Sequence, residues 1–257
     1  MNQGEQRSKV PEVTLVFWFI KILATTLGET GGDAVSMSMD LGYALSSFIF
    51  IGIFVIAVIA QISAKAFHPL LYWLVVIATT TAGTTMADFA DRSLGIGYPG
   101  GASALFLLLM ASLTGWYWST GSISVNTIVS PKIETFYWVS ILFSQTLGTA
   151  LGDWMADTNG LGYEGGALVF TAGLAAIAAA YFWTGISRTL LFWAAFILTR
   201  PLGATLGDLL DKPHENGGLA FSGLYATAIL AAVILACIVF LPQRAGSHAG
   251  KPDAVRS

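Results

Sequence analysis

The sequence predicts an all-α polytopic membrane protein: eight transmembrane helices arranged as four parallel two-helix repeats. Three observations carry that prediction. First, 55% of the 257 residues are hydrophobic and only 11% charged, with a mean hydropathy of +0.70; a soluble domain carries about 25% charged residues. Second, apolar runs such as 13–27, 45–60 and 219–241 approach, with their flanks, the roughly 20 residues that a spanning helix needs. Third, one pattern recurs four times along the chain.

The spans follow in order. Those at 12–33 and 41–62 form the first repeat, and those at 69–90 and 99–119 the second. The third repeat holds 133–154 and 162–184, and the fourth 188–210 and 218–241. The first span is too long, and too soon followed by others, to be a cleaved signal peptide. Residues 1–257 therefore read as one transmembrane domain with short cytoplasmic N- and C-terminal tails and repeats at roughly 11–64, 66–120, 131–186 and 187–242. The single Cys237 lies in the last apolar run, so a disulfide framework is excluded.

Loop charge orients the chain. The tails and the connections between repeats hold Arg7, Lys9, Lys65, Lys132, Arg188, Arg244, Lys251 and Arg256. The opposite loops hold only Arg92 and Lys212, and Lys21 and Arg200 fall within spans. The positive-inside rule then places both termini in the cytoplasm. Eleven of the fifteen acidic residues crowd the other, outer ends of the spans. Acidic side chains contribute little to topology, so this crowding calls for another reason.

The repeat reads [FY]-W-x9-G-x3-[GA]-D. Its tryptophans are Trp18, Trp73, Trp138 and Trp193; its glycines Gly28, Gly83, Gly148 and Gly203; its aspartates Asp33, Asp88, Asp153 and Asp208. A Gly-Tyr pair follows the first three copies, at Gly42, Gly97 and Gly162, and Gly217-Gly218 follows the fourth. Each unit is expected to be a two-helix hairpin, so all four copies share one orientation, unlike the inverted repeats of many transporters. The cores TLGETGGD, TAGTTMAD, TLGTALGD and PLGATLGD resemble those of a bacterial integral-membrane family of tandem repeats of unknown function. The resemblance covers nearly the whole chain apart from its tails. It implies the fold unit and little else, because the family carries no activity; the expected location is a bacterial inner (cytoplasmic) membrane. The fourth copy departs from the pattern with Pro201, which argues against a straight seventh helix.

At 100° per residue two stripes emerge on each odd-numbered span. Gly28 and Gly32, Gly83 and Ala87, Gly148 and Gly152, and Gly203 and Gly207 form small-xxx-small faces for close helix packing. Beside them run Thr26, Glu29, Thr30 and Asp33; then Thr81, Thr84, Thr85 and Asp88; then Thr146, Thr149 and Asp153; then Thr205 and Asp208. One turn deeper stand Thr25, Thr80, Gln145 and Arg200. Lipid disfavours such groups, so they are expected to face one another across the bundle interior. The competing reading is that the aspartates cap helix ends and each threonine bonds its own i−4 carbonyl. About 22 Å down the helix from each aspartate, the tryptophans are expected to be anchors in the cytoplasmic aromatic belt.

Glu29, Lys21 and Arg200 have no like-charged counterparts in the other copies. An ionisable group within a span needs a partner, and Arg200 is expected to pair with Glu29 across the bundle. Lys21 is expected to snorkel to the inner surface. The outer mouths add Asp40, Asp91, Asp157 and Asp211, with Met37, Met39, Met86 and Met155 close by. Carboxylate and hydroxyl oxygens suit Mg²⁺, Ca²⁺ or Mn²⁺, and a thioether shifts preference toward a transition metal. The metal-ligating candidates are Asp33, Asp88, Asp153 and Asp208. His68, His214 and His248 are scattered, which argues against structural zinc.

These features point to a transporter for a small cation, most plausibly a divalent metal such as manganese. Its path is lined by Glu29, Thr26, Thr30, Asp33, Thr81, Thr85, Asp88, Thr146, Thr149, Asp153, Thr205, Asp208 and Arg200. The alternatives are a non-transporting scaffold or sensor, and a cation channel. A carbonyl selectivity filter is excluded, because the motif ends a continuous apolar helix instead of following a re-entrant one. No nucleophile–His–acid set and no phosphate loop is present, so an enzyme is not expected. Neither a cofactor nor nucleic acid is expected; the partners are the lipid bilayer and the cation, and the oligomeric state is open.

Overall fold

The computed structural model describes residues 8–125, 128, 130–158 and 160–246. Arg7, His248, Lys251 and Arg256 lie outside these residues, as does the side chain of Asp157. Among the described residues there are eight α-helices: α1 (Leu15–Asp33), α2 (Gly42–Ser63), α3 (Pro69–Asp88), α4 (Tyr98–Thr120), α5 (Pro131–Asp153), α6 (Gly162–Trp183), α7 (Arg188–Asp211) and α8 (Gly223–Phe240). Their starts follow local chemistry. Thr14 and Ser130 cap α1 and α5 by accepting from Phe17 and Ile133 N–H. Pro69 and Pro131 open α3 and α5, where the missing N–H costs nothing. Gly42, Gly97 and Gly162 all have positive φ, so the recurring glycine makes a turn that a side chain would strain.

In the first three repeats the α-helix ends at the motif aspartate and a single π-helical turn follows: Ala34–Ser38, Phe89–Ser93 and Trp154–Thr158. The fourth continues as α-helix to Asp211. Pro201 does not interrupt α7, which stays α-helical on both sides of it. Its ring is accommodated beside Gly148 of α5, where a Cβ would lie 3.0 Å from the proline Cδ.

Six helices, α2, α3, α4, α6, α7 and α8, are long and apolar enough to cross a membrane. The other two, α1 and α5, have 19 and 23 residues and carry Lys21, Glu29 and Asp33, and Lys132, Glu134 and Asp153. The eight helices form two layers. The odd-numbered ones make an inner ring in which α1 packs on α3, α3 on α5, α5 on α7, and α7 back on α1. The even-numbered ones surround it, and the burial contrast is large: 72% of the apolar window of α3 and of α7 is buried, against 11–28% in α2, α4, α6 and α8.

The sequence repeat is not the packing unit in space. Each return helix lies chiefly on the odd helix of the following repeat: α2 on α3, α4 on α5, α6 on α7, and α8 on α1. The hairpin expected from sequence is therefore opened, and its second arm is handed on around the ring. Closure of α8 onto α1 also brings the segments before α1 and after α8 together, with an antiparallel bridge between Pro11 and Ala245. Ser8 N–H donates to Gly246 O, Lys9 N–H to Ile128 O and Glu12 N–H to Arg244 O. The Lys9 ammonium meets Glu134 at 2.7 Å and Ile62 O at 2.9 Å, tying this strap beneath α2 and α5.

Glycine explains how closely the inner helices approach. A Cβ at Gly28 or Gly32 of α1 would strike Thr80 or Thr84 of α3. At Gly83 of α3 it would meet Gln145 and Thr146 backbone of α5 at 2.9–3.0 Å. At Gly148 and Gly152 of α5 it would strike Arg200 and Ala204 of α7, and at Gly203 and Gly207 of α7, Thr25 and Glu29 of α1. The faces of α1, α5 and α7 each receive, from the next helix, the side chains three residues before and one residue after that helix's motif glycine, and Gly83 of α3 meets Gln145, the residue three before Gly148.

Candidate functional site

That interlock decides which polar residues reach the bundle axis. One residue after each motif glycine stand Glu29, Thr84, Thr149 and Ala204. The small Ala204 leaves the fourth place vacant, and Arg200, one turn away on the same helix, fills it. Its Nη2, with two hydrogens to share, lies 2.8 Å from Glu29 Oε2, 2.6 Å from Thr84 Oγ1 and 2.5 Å from Thr149 Oγ1. Every inner helix thus contributes one group to a single junction. Arg200 has no accessible surface and Glu29 only 2%. Buried ion pairs of this kind need such additional hydrogen bonds to offset desolvation. The pairing expected from their lone occurrence in the sequence is present.

Toward the end of the bundle that carries the motif aspartates, Asp33, Asp88, Asp153 and Asp208 are all buried at the helix ends. They are clamped in two pairs. Arg92 bonds Asp88 at 2.9 Å and approaches Asp153 at 3.7 Å. Lys212 bonds Asp33 and lies 3.3 Å from Asp208. Both cations stand nine residues after their motif glycine, in the second and fourth repeats; Met37 and Asp157 occupy that place in the other two. Burial disfavours the Lys212 ammonium, but Asp208, Asp33 and Asp211 outweigh it and hold its pKa well above the ordinary lysine value. The role of Arg92 and Lys212 is legible in that shared register, whereas loop charge by itself only places them on the outer side.

Carboxylate oxygens of Glu29, Asp33 and Asp208 converge within 4.8 Å of one another, close enough to share one cation. Asp88 and Asp153 lie outside that group, so the four-aspartate metal set expected from sequence is redrawn with Glu29 in it. The mouth residues contribute unequally. Asp40, Met37 and Met39 are exposed, while Asp91, Asp211, Met86 and Met155 are partly buried. The Met37 sulfur lies 3.7 Å from the Lys212 ammonium.

The hydroxyls of the remaining threonines of the expected path make their hydrogen bonds elsewhere than to one another. Thr26, Thr81, Thr85 and Thr146 donate to carbonyls of their own helices, at Ile22, Ile77, Thr81 and Leu142. Thr30 instead accepts from Thr227 of α8, and Thr205 donates to Pro201 O with its methyl beside Gly166 of α6. Thr30 and Thr205 stand two residues after their glycine, 100° from the residue one after it, which turns them toward α8 and α6 of the outer layer.

The other end of the bundle is closed by aromatic rings. Trp73, Trp138 and Trp193 are buried with Phe17, Tyr72 and Tyr137, and the last two share a hydroxyl hydrogen bond of 2.7 Å. The rings pack edge-on and tilted at 5.0–6.3 Å between centroids, as in the Trp73–Tyr72, Tyr137–Trp138 and Trp193–Tyr137 pairs. These tryptophans are not lipid-facing anchors: they point inward, because their helices form the inner layer. Lys21 does not snorkel either. It has no accessible surface and sits 4.2 Å over the Phe196 ring.

Fold and site together define a class: an all-helical protein of tandem repeats, with helices of membrane-crossing length around an ion-paired polar axis. The chain belongs to the family described as Repeat of Unknown Function (DUF347), whose model matches residues 16–67, 71–122, 136–187 and 191–245. No curated protein and no solved structure matches the chain.

Proposed function

We propose that this protein is a multi-pass membrane transporter of a small cation, with a divalent metal such as Mn²⁺ as the favoured substrate. All eight helices span the bilayer, both termini are cytoplasmic and the aspartate end faces outward, as the loop charges argue. The observation that carries the reading is the convergence of buried Glu29, Asp33 and Asp208 oxygens within 4.8 Å of one another. Hard oxygen donors of this kind suit Mg²⁺, Ca²⁺ and Mn²⁺, and the acidic mouth raises the local cation concentration.

Arg200 and Lys212 then act as tethered counter-cations. Lys212 holds Asp33 and Asp208 together, and Arg200 holds Glu29. An arriving ion displaces Lys212 toward water and takes its carboxylates, so that the buried charge stays balanced at each step. The Trp138 and Tyr137 layer closes the cytoplasmic side in this conformation.

Purified protein in liposomes loaded with a metal-quenched dye tests this. Mn²⁺ influx is expected for the wild type and is expected to fall at least tenfold in Asp33→Asn and Asp208→Asn. Unchanged influx in both folded variants would overturn the proposal. The glycine interlock favours a second reading, a non-transporting scaffold. In that case bulk at Gly28 or Gly203 is not tolerated while both aspartates are dispensable.

A further inference from the structure

On the tryptophan side of Arg200 lies a second group of polar side chains, distinct from the carboxylate cluster. Lys21, Thr80, Ser144, Gln145 and Arg200 all have no accessible surface. Lys21 Nζ, Thr80 Oγ1, Ser144 Oγ, both polar atoms of the Gln145 amide, and Arg200 Nε and Nη1 have no hydrogen-bond partner among the described residues. Thr80, Gln145 and Arg200 share one register, three residues before the motif glycine; Ser144 precedes Gln145, and Lys21 stands one turn further in. Each of the four inner helices therefore contributes to this layer. The aromatic rings close it on one side and the Glu29–Arg200 junction on the other.

The unmet bonding capacity is lopsided. Lys21 Nζ, Arg200 Nε and Nη1 and the Gln145 amide nitrogen can only donate, and the two hydroxyls can do either. The only obligate acceptor is Gln145 Oε1. Charge is lopsided in the same direction. Lys21 and Arg200 lie within electrostatic reach of each other, and Glu29 is committed to Arg200 Nη2. Neither α3 between Pro69 and Ala87 nor α5 between Thr135 and Gly152 carries a charged residue. The Phe196 face attracts the Lys21 ammonium but accepts no hydrogen bond. Buried water would occupy the donors, yet it brings no compensating charge, and an uncompensated buried cation is strongly disfavoured.

We propose that the layer formed by Lys21, Thr80, Gln145 and Arg200 binds one small monovalent anion of the halide or nitrate class. The anion supplies the acceptors that these donors lack and the charge that Lys21 needs. It also gives Arg200 a counter-charge on the side opposite Glu29. The site stands apart from the carboxylate cluster and holds whether or not a cation moves there.

The test uses full-length protein in detergent, with chloride as the probe. Radiolabelled chloride is expected to bind saturably at one per chain and to be displaced by bromide or nitrate but not by gluconate. At constant ionic strength, Tm is expected to be higher in chloride than in gluconate, because a ligand that binds only the folded state stabilises it. Lys21→Met removes the surplus charge while keeping bulk; it is expected to bind chloride at least tenfold more weakly and to show no Tm difference between the two salts. Gln145→Leu is expected to weaken binding with Lys21 intact. Absence of saturable chloride binding by the wild type overturns the proposal and leaves Lys21 neutral among water. Equal binding by wild type and Lys21→Met overturns it too. Should Lys21→Met fail to fold, the wild-type measurement and Gln145→Leu decide.

Discussion

The two ends of the inner bundle carry strict four-fold repeats of opposite chemistry, and the polar groups of its middle carry none. At one end Asp33, Asp88, Asp153 and Asp208 share Arg92 and Lys212, with the Arg92 side chain still 38% exposed. At the other, the tryptophans and the aromatic residues before them pack into a seal, with the Trp73 indole N–H donating to Gln243. Between them the register reads Thr25, Thr80, Gln145 and Arg200, then Glu29, Thr84, Thr149 and Ala204. Symmetric residues can build a frame because each occupies its own helix. On the axis only one group fits, so the four copies had to diverge there. Four arginines would collide and leave a large uncompensated charge.

Substitutions can break this contrast, and the largest effect is expected in the middle. Arg200→Ala leaves Glu29, Thr84 and Thr149 without their shared donor and should cost about 4 kcal/mol, the range for halving a buried pair. Thermal unfolding in detergent reads this. Adding Glu29→Gln to Arg200→Met should restore part of the loss, and a double variant no better than Arg200→Met alone would argue against a mutual pair.

At the sealed end Trp138→Ala should cost about 3 kcal/mol through a cavity. Hydrogen exchange at the start of α5 should rise in that variant while the aspartate end stays protected. Equal exchange at both ends would show that the seal is not a separate layer. The smallest effect belongs to Arg92→Gln. A partly exposed clamp of this kind is worth about 1 kcal/mol or less. Its contribution should shrink further as salt is raised, so the Tm gap between variant and wild type should narrow. A gap that persists in high salt would move Arg92 from the wet mouth into the packed core.

Much of this was legible in the chain itself. Hydropathy and the recurring [FY]-W-x9-G-x3-[GA]-D register determine eight helices in four repeats, and their residue ranges follow those of the spans read from sequence within a few residues. The same register marks the glycine faces, because helical periodicity fixes which residues share a side of one helix. The lone occurrence of Glu29 and Arg200 was enough to pair them.

Periodicity does not say which side of a helix faces the axis, nor which helix is its neighbour, and only the tertiary structure decided these. It turned Trp73, Trp138 and Trp193 inward, sent Thr30 and Thr205 to the outer layer, and moved each return helix onto the next repeat. It also assigned Arg92 to Asp88 and Asp153 and Lys212 to Asp33 and Asp208, and left Lys21 buried over Phe196. The physical reason is the same throughout. The absolute rotation of a helix, and the partners its charges find, are set by summed packing against neighbours distant in sequence, and no stretch of the chain read alone contains that sum.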